Sequence, residues 1–300
     1  MTIFSPVVRA VLLLGSVLAA SADAQTLTPS DTGSPDGVRR EVRNQIGASI
    51  NNAGLQDTLE ISWQRPLTAS THPLRSGAHV AAGVVNVLTP SMDRLGGWVQ
   101  MAPLSIVSVR IGAEPGAYFG TFHSLMSFRG YDDPFDKDTR DARGRGRAAT
   151  GLRAYVTPAA QFRAGPMVFR ATADIEWWRA SVSGPFYYEP ARDTLLKADG
   201  DWLVNATTVA LYQRDGGTGG FTSGGVLHHV MEVADAPDNR IQRLGLIAMH
   251  EFASPRFGLP HLRVTATAWR YLDDPSKRHE WGAAMAADFR VILAERRRMR

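Results

Sequence analysis

Met167-Val168-Phe169-Arg170-Ala171-Thr172-Ala173-Asp174-Ile175-Glu176-Trp177 has two characters at once. Met167, Phe169, Ala171, Ala173, Ile175 and Trp177 fall on one face of an extended chain. Arg170, Thr172, Asp174 and Glu176 fall on the other, because side chains of a strand alternate with period two. Such a strand separates an apolar neighbour from a polar one.

Outward from this stretch, the alternation recurs from Glu41 almost to the end, and five further segments show it cleanly. Val42, Ile46, Ala48 and Ile50 oppose Arg43, Gln45, Gly47 and Ser49. Leu59, Ile61 and Trp63 oppose Glu60, Ser62 and Gln64. Leu152, Ala154, Val156, Pro158, Ala160 and Phe162 oppose Arg153, Tyr155, Thr157, Gln161 and Arg163. Leu262, Val264, Ala266 and Ala268 oppose His261, Arg263, Thr265 and Thr267. Trp281, Ala283, Met285, Ala287, Phe289, Val291 and Leu293 oppose Glu280, Gly282, Asp288 and Arg290. Segments 79–89, 97–113, 117–128, 202–214, 221–233 and 240–253 read as less regular strands. In 97–113 the apolar phase switches between Ile106 and Val107, which a β-bulge accounts for. The expectation is about twelve strands.

A soluble sandwich also alternates, so loop length and aromatic placement decide. With the N-terminus periplasmic, the two longest connections, 129–147 and 181–201, lie outside the cell. Tight turns at Glu114 to Gly116 and at Ala164-Gly165 lie inside, the outer-membrane pattern. The connection 67–78 departs from it. Threaded up and down, Trp98, Trp177, Trp178, Trp202, Trp269 and Trp281 come at outer strand ends. Tyr118, Phe162, Phe169, Tyr212, Phe221 and Phe289 come at inner ends, and two such aromatic levels suit two membrane interfaces. Only helices and closed barrels satisfy their backbone in lipid. The one long apolar run, Ala10 to Ala20, is too short to span. The fold read from these features is all-β, an antiparallel up-and-down transmembrane β-barrel.

Composition sets further limits. The chain has 300 residues, 44% hydrophobic and 21% charged, with no cysteine, which excludes disulfides, thiolate metal sites and cysteine nucleophiles. Arg296, Arg297, Arg298 and Arg300 against Glu295 carry most of the net charge of +4. The excess is thus a basic C-terminal tail, 294–300, and no nucleic-acid partner is expected. Arg9, the apolar run and Ala22-Asp23-Ala24 read as a signal peptide over 1–24, cleaved after Ala24. Residues 25–40, rich in Ser, Thr, Asp, Pro and Gly, read as a disordered periplasmic leader before a barrel over 41–293.

On this pattern the chain resembles bacterial outer-membrane β-barrel proteins over roughly 41–293. The resemblance implies the bacterial outer membrane, with lipid bilayer, lipopolysaccharide and the barrel assembly machinery as partners. Such barrels commonly end on an aromatic that the machinery reads, whereas Phe289 is followed by Arg290-Val291-Ile292-Leu293 and the tail.

Inward-facing charges are the first candidates for function. The threading puts Arg43, Arg110, Arg153, Arg163, Arg170, Arg263 and Arg290 in the lumen with Glu60, Glu114, Asp174, Glu176, Glu280 and Asp288. Signs this balanced suit cross-lumen ion pairs more than a selective pore. The expected function is a passive channel or facilitator for small solutes; the alternative is a non-conducting barrel acting through loops 129–147 and 181–201. The acidic and basic loop 129–147 lacks EF-hand spacing, and Phe186-Tyr187-Tyr188 in the other loop suits packing over the barrel mouth. A lipid hydrolase is a third reading, through His123 and Ser127 on one strand face, but no G-x-S-x-G elbow exists. His228 and Glu232 share a face without a converging third ligand, so neither metal nor cofactor is expected.

Overall fold

A computed structural model describes residues 37–51, 54–121, 125–144, 146–215, 220–253, 255 and 261–293. The expected signal peptide, most of the leader, the basic tail and His123 lie outside the described residues. Twelve strands form one closed antiparallel barrel. They are β1 (Arg39–Ile50), β2 (Gly54–Pro66), β3 (His79–Leu88), β4 (Met92–Leu104), β5 (Val107–Tyr118), β7 (Ala149–Ala164), β8 (Met167–Ala180), β11 (Asp201–Asp215), β12 (Phe221–Val233), β13 (Ala236–Glu251), β14 (Arg263–Asp273) and β15 (Trp281–Leu293). Each pairs with its neighbours in sequence, and β1 closes on β15 from Arg40↔Leu293 to Ile50↔Ala283. A small second sheet, β6 (Ser127–Phe128), β9 (Phe186–Glu189) and β10 (Thr194–Lys197), and one helix, α1 (Lys137–Arg143), belong to the two long connections. Both connections leave the same end of the barrel, here the loop end; β1 starts and β15 finishes at the opposite, termini end.

The number twelve is as expected, but two strands are not the expected ones. The segment 97–113 is no bulged strand: it holds the end of β4, a turn at Ser105-Ile106 and most of β5. The phase switch at Ile106 is a chain reversal. Backbone bonds from Ser105 N to the Leu74 carbonyl and from Gln161 N to the Ile106 carbonyl hold it, and neither turn residue is a glycine. Glu114 to Gly116 is consequently strand, not turn. Of the described residues in segment 117–128, Ala117 and Tyr118 end β5, and Ser127–Phe128 extend again outside the wall, against β9. Ser127 therefore sits in the cap of the barrel, not on the lipid face where it was expected.

The wall keeps the period-two rule. Exposed aliphatics such as Ile50, Leu95, Val99, Ile111, Leu246 and Met285 cover the outside, while Arg, Glu, Asn and Thr face in. Burying such a surface in a bilayer contributes about 25 cal/mol per Å², and no open sheet edge remains. Three tryptophans assigned to the outer girdle do not belong to it. Trp98, Trp178 and Trp269 are buried inside the barrel, Trp98 in the middle of its strand. Their parity is that of Gln100, Glu176 and Thr267, which fixes them inward. Trp177, Trp202 and Trp281 do face outward at the loop end. Phe162, Tyr212 and Phe289 do so near the termini end, with Phe169 stacked on Phe162 at 4.8 Å. Tyr118 is at the loop end and buried.

Candidate functional site

The site is the lumen and the cap that fills its loop end. Residues 186–197 form a hairpin, the strap, with a turn at Pro190-Ala191-Arg192-Asp193. Asp193 takes φ +54°, a value tolerated by Asp, and its N–H donates to the Glu189 carbonyl at 2.8 Å. Alternation gives the strap two faces. Tyr187 and Leu196, paired across it, pack into the mouth against Tyr118, Trp178, Leu203, Met231, Ile241 and Tyr271. Tyr188 and Leu195 face away and pack under Met126, Phe128 and Phe135 of the other long connection. Tyr187, Leu195 and Leu196 are 0% exposed. Of the aromatic triplet, Tyr187 packs the mouth, while Phe186 and Tyr188 pack against the other long connection.

Charges bind the strap to the wall. Arg153 donates to Glu114 at 2.9 Å and to Glu176 at 2.6 Å. Glu176 also accepts from Trp178 Nε1 at 2.6 Å and from Arg192 Nε of the strap at 2.8 Å. Arg94 extends the line, 3.5 Å from Glu114 and 4.9 Å above the Trp178 ring. Tyr118 donates to Glu189 at 2.5 Å, and Tyr188 donates to Asp193 at 2.7 Å. Lys277, from the β14–β15 connection on the opposite wall, pairs with Asp193. Arg243 stacks over Tyr271 at 4.8 Å beneath that tie.

The termini half is lined differently. Arg43 grips Asp288 with contacts of 2.6 to 3.1 Å, and Arg110 reaches past two strands to Glu60 at 3.0 Å. Arg110 also lies 3.8 Å over Trp98. Arg263 meets Glu251 at 3.5 Å and Arg290 meets Glu41 at 3.7 Å. Val209, Leu211, Leu227, Ile247 and Met249 make an apolar patch on the facing wall. Asp174 accepts from Thr157, Arg170 faces inward on β8, and Arg163 reaches the rim, donating to the Gly165 carbonyl. Glu280 is not in the lumen; it accepts from Asn51 at the loop end. The sequence reading missed Arg94, Glu189, Arg192, Asp193, Glu251 and Lys277. Arg94 and Glu251 show as charges at inward parity once their strands are bounded correctly; the loop residues carry no periodic signal. Among the described residues no group of side chains could hold a metal ion.

A closed barrel with an aliphatic exterior and a charged interior belongs in a bilayer. The chain folds as a transmembrane β-barrel. No family model matches it, and no curated protein matches it. Among solved structures it is similar to the beta domain of the Bordetella autotransporter BrkA, 14% identical over 85% of this chain and 98% of that one, TM-score 0.47. It is also similar to the NanC porin, 7% identical over 84% and 100%, TM-score 0.39, and to the KdgM porin, 7% identical over 83% and 98%, TM-score 0.37. These are likenesses of fold alone.

Two predictions arise from the site. A Cβ at Gly96 would lie 2.2 Å from the Ala113 carbonyl oxygen and 2.7 Å from Glu114 Cγ. Gly96→Ala should displace Glu114 from both arginines and cost about 1–3 kcal/mol, read as a lower urea midpoint in refolded barrels. The second concerns pH. Burial pushes the Glu189 carboxyl up, against Arg94 and the Tyr118 hydroxyl. Burial acts likewise on Asp193, but Lys277 and the Tyr188 hydroxyl outweigh it and hold that carboxyl down. A raised acid is stabilised when protonated, so the Glu189 contribution is present at low pH and lost as pH rises through its folded pKa. The Asp193 contribution is present above about pH 4, the ordinary value, and lost as pH falls through its lower folded one. Hydrogen-exchange protection of 186–197, corrected for intrinsic rates, should therefore rise as pH falls toward the ordinary glutamate value of about 4.3 and collapse only below about pH 4. A monotonic loss of protection from pH 7 downward would contradict this assignment.

Proposed function

We propose that the protein is a passive channel for small solutes that rests shut, with the strap as its closure. The observation supporting this reading is the strap itself, seated in the mouth by Arg192 on Glu176 and by Lys277 on Asp193. Buried ion pairs stabilise no better than apolar packing of the same volume, so a charged lumen is better matched to a water path than to a plug. Arg43–Asp288 and Arg110–Glu60 line the other end, and their balanced sign suits weak ion selectivity. In this reading the loop end faces outward, where the basic residues of 129–147 meet lipopolysaccharide, and the chain is exported by 1–24 and inserted by the assembly machinery.

The test is planar-bilayer recording of the refolded mature protein beside a variant with 186–197 replaced by a short Gly-Ser linker. The expected result is rare openings for the first and steady current for the second. Silence from both, with folding proven by heat-dependent gel migration, would overturn the channel. The second reading, a non-conducting barrel acting through its outer loops, would then stand, and the complete burial of Tyr187, Leu195, Leu196 and Glu176 favours it.

A further inference from the structure

The outward face carries polar residues that a lipid contact does not explain. On β1 to β4, Asn44, Asp57, Asn86 and Asp93 interrupt outward aliphatic runs: Asn44 precedes Ile46, Asp57 sits between Leu55 and Leu59, Asn86 between Val84 and Leu88. They form two cross-strand pairs, Asn44 to Asp57 and Asn86 to Asp93, each at 2.5 Å. On β11 to β13 a second wall does the same. Gln242 bonds His228 at 2.7 Å, the Thr208 hydroxyl and the Arg240 Nε are buried without a partner, and Glu232 is the anion at its outer end.

Strand register fixes the depth of each. One hydrogen-bond row runs Val107–Ala160–Ala171–Thr208–His228–Leu244–Arg270–Trp281, from the termini-end turn to the outward tryptophan at the loop end. Rows climb because the strands tilt; at about 40° and 4.8 Å spacing each step lifts by about 3 Å. His228 thus lies about 9 Å below Trp281, near mid-membrane. The row through Ala287, Ile46 and Asp57 puts Asp57 at about 9 Å as well. Asp93 and Gln242 both come within about 3 Å of the Trp281 level.

We propose that these two walls are the two halves of a head-to-tail contact between copies of this chain in the membrane. Copies inserted in the same direction share the membrane normal, so only groups at equal depth meet. Asp57 then faces His228, and Asp93 faces Gln242 and Arg240, acceptors against donors. Phosphate-bearing lipid is a poor occupant of the first wall, since its headgroups lie above Asp57 and share its sign. In the strand order β1–β4 and β11–β13 stand across the barrel from one another. A heterologous contact between opposed faces does not close into a ring, so the assembly is a row.

The chain has no cysteine, so cross-linking is clean. Asp93→Cys and Gln242→Cys variants are refolded together into vesicles at low protein-to-lipid ratio and oxidised, with heat-dependent gel migration confirming the fold. The expected result is a disulfide dimer in the mixture and in neither variant alone. A chain carrying both substitutions should give a ladder of multimers. Leu246→Cys, on the same wall but deeper, should not couple to Asp93→Cys, and His228→Leu should lower the mixed yield severalfold. No dimer in the mixture, or dimers from Asp93→Cys alone, would overturn the head-to-tail contact, the latter in favour of a two-fold one.

Discussion

Glu176→Ala is expected to cost about 3–5 kcal/mol, the usual loss when one member of a buried charge cluster is removed. Glu176 is fully buried and is the one carboxylate shared by Arg153 of the wall, Arg192 of the strap and the Trp178 indole. Its removal leaves two guanidinium groups facing each other without water to screen them. The wall retains Glu114 as a partner for Arg153, but Arg192 loses both of its hydrogen bonds to Glu176 and keeps the Trp178 ring, 5.7 Å away. The barrel should still close, since its backbone ladders are untouched, while the strap becomes cleavable by protease between 186 and 197. Glu176→Gln keeps the shape and an acceptor for Trp178, and should fall between the two. An alanine variant with the wild-type urea midpoint and an uncleaved strap would show that Arg192 is not what seats it.

That network is only half legible in the sequence, for reasons that differ between its members. Arg153, Glu114 and Glu176 are wall residues, and period-two alternation by itself sets their direction. Arg192, Asp193 and Glu189 sit in a connection, where no period relates a residue to its neighbours. What places them is the fit of Tyr187 and Leu196 into a mouth formed by residues from six other segments, a tertiary effect. The β4–β5 reversal is hidden for a related reason. Ser105-Ile106 is not one of the glycine-containing pairs that mark a two-residue hairpin; the reversal is held by bonds from Ser105 to Leu74 and from Gln161 to Ile106. The inward tryptophans are a different matter. Trp178 shares parity with Glu176, and Trp269 with Thr265 and Thr267, so alternation already directs them into the lumen. The girdle assignment weighs strand-end position above parity, and parity is the stronger constraint, since a one-residue slip would turn every charge into the lipid.

The tie between Asp193 and Lys277 should decide whether the mouth stays shut, because it joins the strap to the far wall while Arg192 joins it to the near one. Asp193 is 2% exposed and held by Tyr188 as well; the Lys277 ammonium lies 5.9 Å over the Tyr271 ring. Asp193→Lys places two ammonium groups together beside Arg243 and should cost the closed state about 2–3 kcal/mol, allowing for the partial exposure of Lys277. That is about 30- to 160-fold in the open population. Lys277→Asp should act in the same direction, leaving two carboxylates at the mouth. The exchange Asp193→Lys with Lys277→Asp restores opposite charges at the same spacing and should recover most of the closure. Recovery in the double variant is the informative outcome, since a general loss of packing would make the two effects add. Single-channel recordings supply the open fraction, and strap proteolysis supplies a readout that does not depend on conduction. Additive losses in both measurements would assign closure to the apolar packing of Tyr187 and Leu196 alone, with the charged tie contributing nothing to it.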